Sequence, residues 1–326
     1  MITARAPLRV PLGGGGTDLP SYYRAHGGFL VAGAIDKYVY LLLNPAFARR
    51  YRFSHSRCEE ADRPEDLGHP IVRETLLRHW SGGPLELASL SDVPAGTGLG
   101  SSGAFTVGLI KALAHARGEA PAAGALAEAA CHIEIDVLGE PVGKQDQYAA
   151  AHGGVSAYTF HRDGSVTVEP LELAAATRAG LRDRLQLYYT GATRSASAVL
   201  ADQDRRSRRG DPGMVANLHR VKELGYLSRD LLVAGDLDGY AALLHEHWMH
   251  KRARSAGITD ERIDRLYDAA RAAGGLGGKL VGAGGGGFLM VLSADPGATR
   301  EAMAAEGAEE LPFDFDPGAA VVAAAA

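Results

Sequence analysis

Glycine is what most limits the shapes open to this chain. It supplies 42 of 326 residues, against a usual share of roughly 7%. The excess is bunched: four glycines at residues 13–16, four within 94–103 and nine within 274–287. Hydrophobic residues at 46% and charged residues at 22% are an ordinary globular balance, so the glycines do not mark disorder. They follow no Gly-X-Y period, which excludes collagen. Bunched glycine in an otherwise normal chain marks backbone that turns sharply or approaches a ligand closely.

The remaining bounds are brief. A chain of this length buries a large core and is expected to divide into two domains. A net charge of −5 gives no support for nucleic acid or an anionic membrane as partner. Two cysteines, Cys58 and Cys131, make neither a disulfide framework nor a zinc site by themselves and fit a reducing cytoplasm. Residues 1–10 lack an apolar secretory core, and no run is long enough for a membrane helix, so a cytoplasmic protein is expected.

Residues 9–12 read as a short strand entering the first glycine cluster. The apolar stretch 29–43 reads as two strands or one bent strand, with 49–54 placed to pair with it. Helical spacing appears over 69–80 and alternation over 85–90. Beyond the second cluster, Phe105, Leu109, Ile110 and Leu113 share one helical face over 101–116, and 126–138 and 144–151 continue helically. Asp163-Gly164 signals a hairpin between 155–160 and 165–168. A strand over 184–189 precedes helices over 195–203, 214–234, 237–247 and 260–273. A strand over 288–292, a helix over 297–305 and a last strand over 319–324 complete the reading. There is no fixed-period repeat and no regular βα alternation, so the class is α+β, with domains 1–180 and 181–326.

The second cluster, Pro94-Ala-Gly-Thr-Gly-Leu-Gly-Ser-Ser-Gly103, stands between a strand and a helix. Gly96, Gly98 and Gly100 let backbone N–H groups converge, and Ser101 and Ser102 open a helix whose N-terminus attracts anions. Together they make a phosphate cradle, or else a glycine-rich turn with an ordinary serine cap. No Gly-Lys-Ser/Thr follows, so this is not a Walker loop; Gly98-x-Gly100-x-x-Gly103 matches a dinucleotide fingerprint formally but lacks its acidic partner. In the first cluster, Pro11-Leu-Gly-Gly-Gly-Gly-Thr-Asp18, substrate can lie on main chain while Asp18 accepts from its hydroxyls; the alternative is a loop with Asp18 as a helix cap. The third, Gly282-Ala-Gly-Gly-Gly-Gly-Phe288, reads as a tight turn between strands. Glu134 and Asp146 flank a Gly-Pro-Gly break and can meet at one site, one holding a metal and the other accepting a proton. Solvated surface carboxylates are the alternative. His247, His250, Trp80 and Trp248 read as packing or helix-surface residues.

Taken in order, these segments resemble the three motifs of the GHMP kinases, the group of galactokinase, homoserine kinase, mevalonate kinase and phosphomevalonate kinase. Residues 94–103 look like the nucleotide loop, 9–18 like the first motif and 279–288 like the third. The resemblance runs from about Arg5 to Leu292 and points to the heptose 7-phosphate kinase branch. The carrying segments are Arg5-Ala-Pro-Leu-Arg-Val, Gly14-Gly-Gly-Thr-Asp-Leu-Pro20, Gly143-Lys-Gln-Asp-Gln-Tyr-Ala149 and Tyr189-Thr-Gly-Ala-Thr-Arg-Ser195, with residues 277–288. Galactokinases carry Glu-His where this chain has Gly15-Gly16, which argues against galactose. Pro11-Leu12-Gly13 stands where Ser-Phe-Ala is common, and Gly103 where Ser or Ala is usual.

The resemblance implies a two-domain GHMP kinase fold. Its N-terminal half is like the second domain of a small-subunit ribosomal protein, and its C-terminal half is ferredoxin-like with extra helices. Asp146 then matches the catalytic aspartate, with Arg9 beside it stabilising charge. Pro94, Gly96, Gly98, Leu99, Gly100, Ser101 and Ser102 match the ATP loop, and Ser102 and Glu134 the magnesium ligands. Gly14, Gly15, Gly16, Thr17 and Asp18, with Gly284 and Gly285, match the sugar site. Lys251, Arg252, Arg254 and Arg194 are the candidates for a sugar phosphate. The implied reaction is ATP- and Mg2+-dependent phosphorylation of the anomeric hydroxyl of D-glycero-D-manno-heptose 7-phosphate, feeding synthesis of a nucleotide-activated (GDP-) heptose. This suits a reaction that needs positioning, a cation and an oriented nucleophile. Expected partners are a sugar phosphate and ATP, without nucleic acid or membrane, and a homodimer is left open. The competing readings are another sugar 1-kinase (fucokinase-like or hexose), a non-catalytic relative and a nicotinamide oxidoreductase.

Overall fold

The computed structural model describes residues 1–191 and 196–324. The first sheet contains β1 (Ile2–Gly13), β2 (Gly28–Pro45), β3 (Tyr51–Ser54), β4 (Cys58–Ala61), β5 (Leu85–Ser91), β6 (Val155–Phe160), β7 (Val166–Pro170) and β12 (Val321–Ala324). Its order is β12-β1-β2-β5-β3-β4, with β6 on β2 and β7 beyond it. The second sheet holds β8 (Leu185–Tyr189), β9 (Gly275–Leu280), β10 (Phe288–Ser293) and β11 (Glu309–Glu310), in the order β11-β8-β10-β9. Mixed sheets and helices without βα alternation make this the α+β, two-domain fold expected.

β2 is one long strand, because its two ends have different partners. Residues 28–33 pair with β6 and 39–45 with β5, while Asp36 and Lys37 fall out of register against β1. Residues 49–54 do not pair with it as expected. β5 already fills that edge of β2, so β3 runs parallel to β5 and antiparallel to β4. The first strand runs well back from Arg9, to Ile2.

The helices are α1 (Pro20–His26), α2 (Pro70–His79), α3 (Ser101–Ala116), α4 (Ala123–Cys131), α5 (Gln145–His152), α6 (Ala175–Arg184), α7 (Ala196–Arg208), α8 (Pro212–Ala234), α9 (Leu237–Arg252), α10 (Glu261–Ala272) and α11 (Pro296–Ala305). α3 is buried on nearly all sides, which its run of Ala, Gly, Val and Leu permits. The expected continuous helix over 126–138 stops at Cys131 and widens into the π-helical turn His132–Val137, a geometry often found at functional sites. One hydrophobic core runs from Leu8 and Leu12 of β1 to Val281, just past β9, and Phe288 and Met290 of β10.

Two features tie the ends of the chain together. After α11 the backbone returns across the first sheet: Asp316 N–H donates to Ala34 O at 2.9 Å and Ala320 N–H to Ala150 O at 2.9 Å. β12 then pairs with β1, Ile2 opposite Ala324. The second and third glycine clusters also pack directly on each other. Gly98 has φ +85°, and a Cβ there would lie 2.8 Å from Val281 O; Gly282 has φ +71°, and a Cβ there would lie 2.5 Å from Gly98 Cα. Neither position accommodates a side chain. The third cluster, Gly282–Phe288, is the turn expected between β9 and β10, and it also folds onto the Pro94 loop.

Gly282→Ala is expected to destabilise the protein by about 2 kcal/mol or more, since it adds both clash and left-handed strain. Gly83→Ala, where a Cβ meets nothing within 4 Å, is expected to stay within about 0.5 kcal/mol of the parent. Denaturant unfolding of both variants checks this.

Candidate active site

A cavity of about 800 Å³ opens where the three glycine clusters meet. Arg9 reaches it from the buried, largely apolar C-terminal half of β1 and is 3% exposed, whereas Arg5 of the same strand is exposed. Its Nε donates to Asp146 Oδ1 at 2.8 Å, its Nη2 lies 2.6 Å from the same oxygen, and its Nη1 donates to Gly98 O at 2.5 Å. One guanidinium thus fixes both the carboxylate and the glycine loop. Asp146 sits in the first turn of α5. Gly103 lets that turn approach: a Cβ at 103 would lie 2.6 Å from Asp146 Cβ. This gives a local reason for glycine at a position where the family usually has Ser or Ala.

The loop itself lines the cavity through Pro94, Gly96, Gly98, Gly100, Ser101 and Ser102. Gly100 caps α3 in the left-handed conformation, so the helix's free N–H groups face the cavity. Leu99 points into the core instead, and it is its carbonyl that is engaged, accepting from Arg9 N–H at 3.0 Å.

Glu134 enters from the π-helical turn and is 2% exposed. Gln147 Nε2 donates to its Oε1 at 2.8 Å. Burial pushes its carboxyl up to about 7, opposed by hydrogen bonds from Gln147, Ser102 and Thr106 and helped by the charge of Asp146. A buried carboxylate without a basic partner, next to a serine hydroxyl, is a hard oxygen donor set. It fits Mg2+, which commonly takes one or two protein carboxylates and completes its shell elsewhere. No cluster of three or more His, Cys, Asp or Glu suited to a metal occurs among the described residues.

The first glycine cluster forms the opposite wall. Asp18 Oδ1 accepts from Gly16 N–H at 3.1 Å and Oδ2 from Gln145 N–H at 3.2 Å. Burial first, and then Asp146, raises its pKa. Gly15 and Gly16 line the cavity, as does Gly284 of the third cluster. Three expected substrate contacts lie elsewhere. Gly14 packs under Phe29 O. Thr17 shares its hydroxyl between Gly14 O and Phe29 O at 2.9 and 2.8 Å, which braces the loop. Gly285 N–H donates to Ile258 O at 2.8 Å.

The basic candidates separate cleanly. Arg252 turns away from the cavity to Asp264 Oδ2 at 2.8 Å, because its helix position faces α10. Lys251 lines the cavity, but its Nζ donates to Leu280 O and Gly282 O, both at 2.6 Å. Arg254, 7% exposed, donates from Nε to Asn217 Oδ1 at 3.0 Å and from Nη1 to Gln203 Oε1 at 3.1 Å, leaving Nη2 without a partner. Arg194 lies outside the described residues. The sequence reading assigned His247 to packing and passed over Lys279 and Gln203, yet all three line the cavity. Lys279 carried one usable signal, a lone charge within a glycine-rich, apolar strand. His247 and Gln203 carried none, since each follows an ordinary helical pattern.

Glu134 makes stability depend on pH. Its folded value of about 7 lies above the ordinary 4.5, so the native state binds more protons between the two. Stability then falls as pH rises through that window, and the deficit, about 3 kcal/mol, is complete above it. Glu134→Gln is expected to melt above the parent at pH 8 and near it at pH 5, as measured by thermal unfolding in metal-free buffer.

Residues 70–154 match the model of the GHMP kinases N terminal domain, and 228–309 that of the GHMP kinases C terminal domain. The chain is 30% identical over 302 residues to D-glycero-alpha-D-manno-heptose 7-phosphate kinase of Campylobacter jejuni, covering 89% of this chain and 88% of that one. It is 26% identical over 234 residues to the bifunctional fucokinase/GDP-fucose pyrophosphorylase of Arabidopsis thaliana, covering 71% of this chain and 22% of that one. Its fold superposes on the crystal structure of a D-glycero-D-manno-heptose 1-phosphate kinase from Bacteroides thetaiotaomicron with a TM-score of 0.80 at 24% identity, over 100% of both chains. No helix among the described residues is long and apolar enough to cross a membrane. The two domain matches and the length of the Campylobacter match show that the chain belongs to the GHMP kinase family of ATP-dependent phosphotransferases.

Proposed function

We propose that the chain transfers the terminal phosphate of ATP to the anomeric hydroxyl of D-glycero-D-manno-heptose 7-phosphate, giving the 1,7-bisphosphate for nucleotide-activated heptose synthesis. One observation carries this reading. A single cavity joins the glycine loop to Asp18 and Arg254, and Asp146 lines it: Gly100 and Gly103 pack on Asp146, and the preceding residue, Gln145, donates to Asp18. The similarity to the Campylobacter enzyme supports the sugar named. The switch from the first sheet to the second between β7 and β8 supports a division of the chain near residue 180.

In this reading the hydroxyl oxygen bonds to the γ-phosphorus as the bond to ADP breaks, and the hydroxyl proton passes to the Asp146 carboxylate. Arg9 holds that carboxylate in place and adds positive charge where negative charge develops. The amides at the start of α3 and the glycine loop bind the triphosphate. Ser102 and Glu134 would hold Mg2+, which neutralises phosphate charge when bound. Asp18 accepts hydrogen bonds from ring hydroxyls, with Gly15 and Gly16 allowing close approach. Arg254 is the basic group best placed for the sugar's own phosphate.

A second reading, a kinase for an unphosphorylated sugar such as a fucose or hexose, is favoured by Lys251 and Arg252. Their charges are already engaged inside the protein.

Asp146→Asn is expected to lower kcat by about 10²-fold or more, the size of a general-base contribution, with nucleotide affinity retained; a turnover assay with nucleotide titration checks it. In coupled assays heptose 7-phosphate is expected to exceed fucose, galactose, mannose and fructose in kcat/KM. A clearly better free sugar refutes the phosphorylated-substrate reading.

A further inference from the structure

The geometry points to a second anion seat in this cavity, formed by Lys279, His247 and the free Nη2 of Arg254, which takes a phosphomonoester dianion. The inference builds on the kinase reading above by assigning residues to the acceptor's own phosphate.

The seat is a buried group of basic side chains without an acidic partner. Lys279 is 2% exposed and His247 3% exposed. Among the described residues the one polar partner of Lys279 Nζ is His247 Nδ1, at 3.3 Å. The groups facing the pair are all basic: Arg9 from β1, Lys251 and His250 from α9, and Arg254 just beyond α9. Two acids that line the cavity are engaged already, Asp146 by Arg9 and Asp18 by two backbone amides, with Asp18 also facing Arg254. Buried charge without a partner is costly, and such groups gather where a charged ligand completes them.

Position favours the acceptor over the nucleotide. The nucleotide's phosphates have a cradle at the start of α3. Arg254 instead touches the first glycine cluster: a Cβ on Gly16 would lie 2.6 Å from its Nη1, and Gln203, which it binds, donates to Gly16 O at 2.7 Å. That is the wall bearing Asp18.

The seat also couples binding to protons. Burial, then Arg9 and Arg254, hold Lys279 down to about 7, and burial with Lys279 and Arg254 holds His247 well below its ordinary value. A dianion arriving beside them raises both. Phosphate entry near neutral pH therefore takes up protons.

The test is calorimetry of inorganic phosphate binding to the full chain at pH 7, with Mg2+ and a non-hydrolysable ATP analogue at saturation so that the nucleotide's phosphate positions are filled. The parent is expected to bind one phosphate and to take up protons, read from two buffers of different ionisation enthalpy. Lys279→Met, Lys279→Gln and Arg254→Met are each expected to weaken binding about tenfold or more, the loss of one charge-assisted hydrogen bond. Lys279→Met is also expected to keep or raise the Tm, because it removes an unpaired buried charge. Phosphate affinity unchanged in the variants, or phosphate binding abolished by the nucleotide analogue, overturns the seat. The substrate reading fails separately: a parent that binds phosphate here yet phosphorylates free heptose as well as its 7-phosphate keeps the seat and loses that substrate.

Discussion

The site depends on one guanidinium. Arg9 is held in the middle of the longest strand pair, β1 with β2, and its three donors are divided between a carboxylate and a carbonyl. The carboxylate belongs to α5 and the carbonyl to the Pro94 loop. Gly100 and Gly103 pack directly on Asp146, and Arg9 bonds both the carboxylate and the loop carbonyl, so it locks that contact. The Pro94 loop in turn meets Gly282 backbone to backbone, which brings β9, and with it Lys279, up to the same cavity. Packing through bare backbone leaves no slack at these points, and a displacement of Arg9 would be felt at all three glycine clusters.

Much of this was legible in the sequence. The spacing of Phe105, Leu109, Ile110 and Leu113 located α3, the Asp163-Gly164 pair located the β6–β7 hairpin, and the three glycine clusters marked the walls of the cavity. What failed to show has physical reasons. The partner of β3 depended on β5 having already occupied the edge of β2, a fact about three-dimensional order. The π-helical turn at Glu134 leaves no periodicity signal over six residues. Arg252 and Arg254 stand two residues apart on one basic segment, and only the packing of α10 on one side and of α7 and α8 on the other decides that one faces Asp264 and the other Gln203 and Asn217. Resemblance assigns Thr17 to the sugar site, but two backbone carbonyls already share its hydroxyl.

The cavity is electrically lopsided. On one side Glu134 sits buried with its charge suppressed and no basic partner. On another, Lys279, His247, Lys251 and Arg254 crowd together with little acid to offset them. Both sides are unfavourable in the protein alone, and in opposite senses. A ligand set with a cation at one end and an anion at the other relieves both, so the unliganded fold is least comfortable where the reactants are to be bound.

The returning C-terminal segment has a consequence for how the molecule is made. β12 fills the edge of the first sheet beside β1, yet the two strands are separated by almost the whole chain. While the polypeptide is being synthesised, β1 emerges long before residues 321–324, and its outer edge stays bare until they follow. An uncovered strand edge is a template for pairing with another chain. The helix bearing Asp146 is also buttressed late, since Ala150 O waits for Ala320 N–H. The nascent protein therefore passes through a long interval with its sheet unsealed, when shielding by a chaperone or the ribosome surface matters most.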